Sequence, residues 1–306
     1  MTAMSFDGRV VIVTGAARGL GRAYAMLLAQ RGACVVINDL GVAIDGTGPS
    51  PEPAEAVASL IRAHGGKAIA DHSDISTQSG VRSLVARTVE EFGAVDALVC
   101  NAGTIGYGTT PDKIEPDQFN SQLSLMVTGV GLLIGAAWDW LKRSGEGRIV
   151  LMSSAGGMFG IPANPYYTSA KGGVIGLLRG LAIDGAVFGI KVNAVCPLAY
   201  TRLFEGFSED VAFNTWFKDN AKAEYVAPIV GYLAHSACEP TGRVFSSGLG
   251  HVSEVFIGLT AGWKQRAHSI EDIRDNFAQI VDRDGFAVPA TAIESSATMF
   301  GDAPIG

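Results

Sequence analysis

Short, predominantly apolar runs recur along the chain, and each is followed by residues with helical spacing. The first is Val10-Val11-Ile12-Val13; Cys34–Ile37, Lys67–Ala70, Val95–Cys100, Ile149–Met152 and Ile190–Cys196 come after it. A strand that is apolar on both faces has to be covered on both faces, as in a parallel sheet between two layers of helices. Helices are expected after the first run as far as Arg31, then over Ala54–His64, Thr77–Phe92, Pro116–Arg143 and Tyr167–Val187. Strand and helix in strict alternation, with short connections, predict an α/β fold: a doubly wound parallel sheet with right-handed crossovers. At 306 residues two domains are allowed, but one large α/β domain fits equally well. We expect a single domain over residues 1–250 with a loop-rich insertion at 197–222. A short helix at Glu224–His235 and a last strand at Arg243–Ser246 would complete it. The remainder, 251–306, reads as an extension or oligomer arm with one helix at Ile270–Asp282.

Between the first strand and its helix lies Thr14-Gly15-Ala16-Ala17-Arg18-Gly19-Leu20-Gly21. Glycines at a strand-to-helix corner let the backbone approach a pyrophosphate at the helix N-terminus. Alone, the corner is equally well read as a tight turn that binds nothing. Asp39 tips the balance: it ends the second strand about twenty residues beyond the glycines, where a carboxylate can accept hydrogen bonds from an adenosine ribose. A carboxylate there repels a 2'-phosphate, so NAD is favoured over NADP. Arg18 points weakly the other way, since a basic side chain in this loop can pair with that phosphate. Close-range repulsion is the harder of the two to avoid. At the end of the fourth strand Asn101-Ala102-Gly103 offers an amide and room for a nucleotide, or else an ordinary Asn-capped turn.

The fifth strand stops at Ser153-Ser154, crosses a Gly/Pro-rich loop and enters a helix carrying Tyr167 and Lys171 four residues apart. That spacing puts phenol and ammonium on one helical face. A lysine beside a tyrosine is expected to lower the phenol's pKa, and Ser154 can reach from the strand end to donate a hydrogen bond. Hydroxyl, tunable phenol and cation are what proton transfer at a carbonyl oxygen requires. A Tyr-x-x-x-Lys pair by itself also occurs by chance on many solvated helices; here it stands with the glycine corner and Asp39.

Bulk properties exclude several classes. The net charge of -7 argues against a nucleic-acid partner. Hydrophobic residues make up 48% and charged ones 17%, which suggests an extensive core and a buried oligomer interface. Cys34, Cys100, Cys196 and Cys238 lie far apart without Cys-x-x-Cys spacing, as expected of reduced thiols in a cytoplasmic protein. The five histidines, 64, 72, 235, 251 and 268, have no metal-ligand spacing, so no metal is expected. The N-terminal apolar run ends at Thr14, too short for a signal-peptide core. Leu123–Leu141 is the most membrane-like segment, but Ser124, Thr128 and Asp139 interrupt it and Gly129, Gly131 and Gly135 crowd one region. It reads as a helix packed closely on other helices, with no membrane contact.

With the glycine corner, Asp39, Asn101-Ala102-Gly103, Ser154, Tyr167 and Lys171 in this order, residues 6 to 250 resemble the short-chain dehydrogenase/reductase family. The resemblance implies an NAD(P)-dependent oxidoreductase on a Rossmann-type fold, a homodimer or homotetramer assembled through the helices after strands four and five. It further implies that Gly15, Gly19, Leu20 and Gly21 hold the pyrophosphate region, with Arg18 also binding the cofactor, Asp39 the adenosine ribose, and Asp74 and Ile75 the adenine. Asn101, Ala102 and Gly103 would lie along the cofactor, with Pro197 and Thr201 near the nicotinamide. Tyr167 would be the general acid/base, Ser154 would orient the substrate oxygen, and Lys171 would hold the nicotinamide ribose. More narrowly, Val36–Gly41, Ala63–Ala68, Glu224–Pro228 and Gly262-Trp263 are similar to the (3R)-hydroxyacyl-CoA dehydrogenase domains of peroxisomal multifunctional enzymes. A stand-alone relative without an attached hydratase domain is expected, since the sequence reads Ala303-Pro304-Ile305-Gly306 where a peroxisomal signal would read Ser-Lys-Leu.

Two positions depart from the family pattern. Met126 stands where an asparagine is usual, which would alter the proton relay through Lys171, and Leu198 follows Pro197 where glycine is common. The expected substrate is an apolar secondary alcohol or ketone: a hydroxyacyl-CoA, steroid, terpenoid or aromatic alcohol. Phe204, Phe207, Phe213, Trp216 and Phe217 would line its pocket, or simply pack together. The alternative from another class is a non-catalytic NAD-binding redox sensor, which Met126 favours and the intact Ser, Tyr and Lys oppose.

Overall fold

In the computed structural model, residues 3–43, 47–106, 108–204, 209–265 and 267–300 are described. The insertion's Phe207 and the last six residues, Ala303–Gly306 among them, lie outside these. The chain divides into two compact units, Met1–Glu254 and Val255–Gly306.

The first unit alternates as the apolar runs require. β1 (Val10–Thr14), α1 (Gly19–Gln30), β2 (Cys34–Asn38), α2 (Glu52–Ala63), β3 (Lys67–Asp71), α3 (Gln78–Phe92) and β4 (Ala97–Cys100) come first. Then follow α4 (Pro116–Leu123), one π-helical turn (Ser124–Thr128), α5 (Gly129–Ser144), β5 (Arg148–Met152), α6 (Ala155–Phe159), α7 (Pro165–Ala186) and β6 (Lys191–Leu198). α8 (Val211–Asn220), α9 (Ala227–Ala234), β7 (Val244–Gly248) and β8 (His251–Val255) complete the run. The sheet order is β3-β2-β1-β4-β5-β6-β7-β8, and the pairs from β3 to β7 are parallel. β1 pairs with β2 on one side and β4 on the other, so strand order reverses between β1 and β4. The crevice outside the carboxyl ends at such a reversal is where ligands bind in open α/β sheets.

Every residue of β1, β2, β4 and β5 is buried, including Val11, Ile12, Val13, Val35, Val36 and Val150 at full burial. Removing an aliphatic side chain of this size from water contributes about 1.5–3 kcal/mol, and the central strands supply many. The amino ends of the strands are locked by charge. Asp96 accepts from Val10 N (2.8 Å) and from the Ser144 hydroxyl (2.7 Å). The buried Arg148 guanidinium donates to the carbonyls of His235 (3.0 Å), Gly147 (2.9 Å) and Gly189 (3.3 Å), and to that of Ser236.

The fold departs from the sequence expectation in four places. The Gly/Pro-rich loop contains α6, because Gly156 and Gly157 let it press against α7: a Cβ on Gly157 would lie 2.6 Å from the carbonyl carbon of Lys171. The insertion is largely helical, α8 being capped by Asp210, whose carboxylate accepts from Phe213 N (3.0 Å). β8 follows β7 through the two-residue turn Leu249-Gly250, both at positive φ (52° and 76°), a connection only an antiparallel pair allows. In the second unit the expected helix breaks at Asn276 into α10 (Ile270–Asp275) and α11 (Phe277–Ile280), and α12 (Ala292–Phe300) follows. There Phe256 and Phe286 stack at 5.5 Å, beside an antiparallel bridge between Leu259 and Ala287.

Candidate active site

Three strand ends and the start of α7 bring the candidate residues together. Ser154 sits just past β5, in extended backbone, and caps α6 by accepting from Gly156 N (3.0 Å). Asn164 caps α7: its side-chain oxygen accepts from Tyr167 N (3.1 Å) while its amide donates to the Ile105 carbonyl (3.0 Å) in the loop after β4. Pro165 occupies the first helical position, where a missing N–H costs nothing. Tyr167 and Lys171 then lie one turn apart, and the Lys171 Nζ is 5.8 Å from the Tyr167 ring centre. A Cβ placed on Gly156 would lie 3.4 Å from both the Ser154 hydroxyl oxygen and a Tyr167 ring carbon, which puts hydroxyl and phenol side by side.

Their electrostatics differ from the sequence expectation. Lys171 was expected to lower the phenol's pKa; instead burial raises that of Tyr167, and a hydrogen bond with the Ser154 hydroxyl pulls it back down in part. The lysine is engaged elsewhere. Its Nζ donates to the Met152 carbonyl at 2.8 Å, and burial pushes its pKa down to about 8. The Ser153 hydroxyl donates to the Lys171 carbonyl (2.9 Å), fixing α7 against the end of β5. Cys196 completes the group: burial pushes its thiol up to about 11, so it stays neutral beside Lys171.

Met126 is buried, on the π-helical turn. A Cβ on Gly103 would lie 3.1 Å from its sulfur and 3.5 Å from the Lys171 Nζ, so the thioether and the ammonium share one wall. Leu198 extends β6 by one further pair, opposite Gly248, where a Cβ would meet the Leu198 carbonyl oxygen at 2.4 Å.

The glycine corner lies at the β1/β4 reversal. Gly15 and Gly19 hold φ of 63° and 50°, and a Cβ on Gly21 would sit 2.1 Å from the Gly15 carbonyl oxygen, so no larger residue fits. Arg18 precedes the first turn of α1 without capping it by a side-chain bond, and its Nη1 is buried with no hydrogen-bond partner among the described residues. The Asp39 carboxylate accepts from Ala17 N (2.9 Å) and Gly41 N (2.8 Å), which places it between the corner and the loop after β2. These features fit a dinucleotide: a glycine backbone cradle, a helix N-terminus for a pyrophosphate and a carboxylate beside the ribose position.

Other candidate residues have visible structural duties. Asn101, expected to offer its amide to a nucleotide, instead donates it to the carbonyls of Thr14 and Gly15 (3.0 Å each). Thr14, which the sequence reading passed over, accepts from the backbone N–H of Asn101 and Ala102 (3.0 Å each), pinning β4 to the corner. Asp74 accepts from Ser76 N (2.8 Å), and the backbone of buried Ile75 packs where a Cβ on Gly129 would come within 2.5 Å. Pro197 lies in β6, opposite Ser247, and Thr201 touches the corner at Gly19. The insertion's aromatic side chains do pack together. Phe217 is buried among Tyr200, Phe204 and Phe213 at 6.2, 5.1 and 5.7 Å, while Phe213 and Trp216 keep exposed faces. Asn164 also escaped the sequence reading, although an asparagine before Pro165 is a helix-start signal.

Over residues 9–210 the chain matches the family described as short chain dehydrogenase. It is 35% identical over 278 residues to a short-chain type dehydrogenase/reductase of Mycobacterium tuberculosis, covering 90% of this chain and 95% of that one. It is 36% identical over 298 residues to peroxisomal multifunctional enzyme type 2 of Mus musculus, covering 96% of this chain and 39% of the mouse protein. The chain therefore spans less than half of that relative's length. The structure of full-length peroxisomal multifunctional enzyme type 2 from Drosophila melanogaster matches with a TM-score of 0.79 and 29% identity, over 97% of this chain and 49% of that one.

Proposed function

This chain belongs to the short-chain dehydrogenase family, oxidoreductases of CH–OH groups that use a nicotinamide dinucleotide, and we propose that it interconverts an apolar secondary alcohol and its ketone with NAD. The observation that carries the reading is the convergence of Tyr167, Ser154 and Lys171 at the carboxyl edge beside the β1/β4 crevice. A bound dinucleotide supplies the hydride acceptor or donor. Tyr167 takes the hydroxyl proton of an alcohol or returns it to a ketone oxygen, and Ser154 donates to that oxygen as its charge develops. Lys171, held at the end of β5 by Met152, is placed to donate to ribose hydroxyls.

Asp39 supports NAD over NADP: its carboxylate, held by two backbone N–H groups beside the glycine corner, would repel a 2'-phosphate on an adenosine ribose bound there. The exposed faces of Phe213 and Trp216 support an apolar substrate, with a hydroxyacyl-CoA the first candidate and steroid, terpenoid or aromatic alcohols next. Met126 is the argument for the redox-sensor alternative, and the intact Ser154, Tyr167 and Lys171 weigh for an enzyme. We also propose that a second copy packs on the outer face of α5 and α7. Gly131, Gly135, Gly176 and Gly180 open to empty space there, and Ile183, Val187 and Phe188 are exposed. The four buried, free cysteines are compatible with a reducing compartment such as the cytoplasm.

Tyr167→Phe is the decisive variant. Turnover should fall by about 10²-fold or more in an NADH absorbance assay over a panel that includes bulky apolar ketones, with NADH binding retained. A variant that keeps wild-type turnover would remove Tyr167 from the reaction.

A further inference from the structure

Two segments that leave the sheet far apart meet over the crevice. β6 and β2 are four places apart in the strand order, about 19 Å at the usual spacing between neighbouring strands. Yet Arg202, soon after β6 ends, donates from Nη1 to the carbonyl of Val42 (3.2 Å), in the loop that leaves β2. One residue earlier, Thr201 lies on the glycine corner itself: a Cβ on Gly19 would be 3.3 Å from its Cγ2. From Thr201 to the tip of Arg202 the chain thus crosses the exit of β1, from the flank that carries Tyr167 to the flank that carries Asp39.

The anchor on the far side is built to hold. Gly41, next to Val42, donates its N–H to Asp39 (2.8 Å), Ser50 N donates to the Leu40 carbonyl (3.1 Å), and Ala43 N to the Thr47 carbonyl (2.9 Å). The carbonyl that Arg202 grips is therefore tied to the carboxylate expected to read the ribose. A guanidinium has five N–H donors in a rigid, planar fork, so it holds the Val42 carbonyl in a fixed direction.

We propose that the Arg202–Val42 bond is a strap across the dinucleotide, and that its opening sets how fast the dinucleotide enters and leaves. The proposal rests on the crevice being the dinucleotide site. With its ribose at Asp39 and its nicotinamide near Tyr167, a dinucleotide would run along the carboxyl edge beneath this crossing. Because Thr201 lies directly on the corner, the strap has to lift before a pyrophosphate can reach the start of α1, and settle again afterwards. A device of this kind slows entering and leaving alike, whereas a simple contact with the cofactor slows leaving only.

Stopped-flow binding of NADH to the full chain, followed by nucleotide fluorescence, separates these cases in wild type, Arg202→Met and Arg202→Lys. In Arg202→Met the association and dissociation rate constants should both rise about tenfold, the scale of one charge-assisted hydrogen bond, with Kd moving less than threefold. Arg202→Lys, which keeps the charge and a donor on a shorter, unforked group, should fall between the two. Unchanged rates in both variants, or a faster dissociation with association unaltered, would overturn the strap while leaving the dinucleotide site intact. Wild-type protein that binds no NADH would overturn the site and the strap together.

Discussion

Tyr167 has to be a phenolate to take a proton from an alcohol, and its burial opposes that state. The Ser154 hydrogen bond is the influence that favours the charge, so in the proposed mechanism the serine would tune the base as well as orient the substrate oxygen. Alcohol oxidation needs the deprotonated form, and raising the phenol's pKa shifts the rising limb of the pH profile upward. Ser154→Ala should therefore cost about 10²–10³ in kcat and move that limb to higher pH than in wild type. Profiles of kcat/KM against pH for both proteins check this, and a limb moving downward would contradict the assignment. Spacing and residue type singled out Ser154, Tyr167 and Lys171, three residues that the fold brings together. What they could not reveal is that Lys171 spends a donor on the Met152 carbonyl and that Asn101 spends its amide on Thr14 and Gly15. Those acceptors are backbone atoms brought near by the sheet, and no residue letter records where a carbonyl points.

α7 carries both Tyr167 and Lys171, so its start decides the register of the chemistry. Asn164 ties that start in two directions, accepting from Tyr167 N and donating to Ile105 in the loop after β4. Losing a cap costs about 1 kcal/mol, which in a protein of this size lowers Tm by roughly 2–4 °C. Asn164→Ala should show that loss in a thermal melt together with lower turnover, and Asn164→Asp, which keeps the acceptor, should recover most of the stability. An Asn164→Ala melt indistinguishable from wild type would mean the cap carries no weight. Elements with strong apolar runs were legible for the same reason that they are stable: β1, β2, β4 and β5 are buried on both faces. α6 and β8 were not. α6 is five residues long and held by close approach to Lys171. β8 is a mostly exposed strand entered through a leucine at positive φ, a backbone state for which leucine gives no signal.

At the scale of the molecule, Pro116–Ser144 forms a 29-residue helical run apolar enough by length and composition to cross a membrane. The fold accounts for one side of it, since Val130, Leu133, Ile134, Ala137 and Leu141 are buried. The opposite side, with Gly131, Gly135 and Trp138, continues onto Val187 and Phe188 as the face assigned to a second copy. Val187 is 81% exposed, so Val187→Lys should leave the single chain folded. Light scattering should then report the wild type as a dimer or tetramer and the variant as a smaller species. Equal masses would remove this face from the assembly.

The grip of Asp96 and Arg148 on the amino ends of the strands has an engineering corollary. The proposed catalytic group lies at one rim of the sheet and strand alignment is secured at the other. Laboratory selection for heat tolerance could therefore be confined to the rim around these two residues, where gains should accumulate without retuning substrate preference. A library aimed at new substrates belongs at the opposite rim, and the two sets of winners should combine in one chain with little interference.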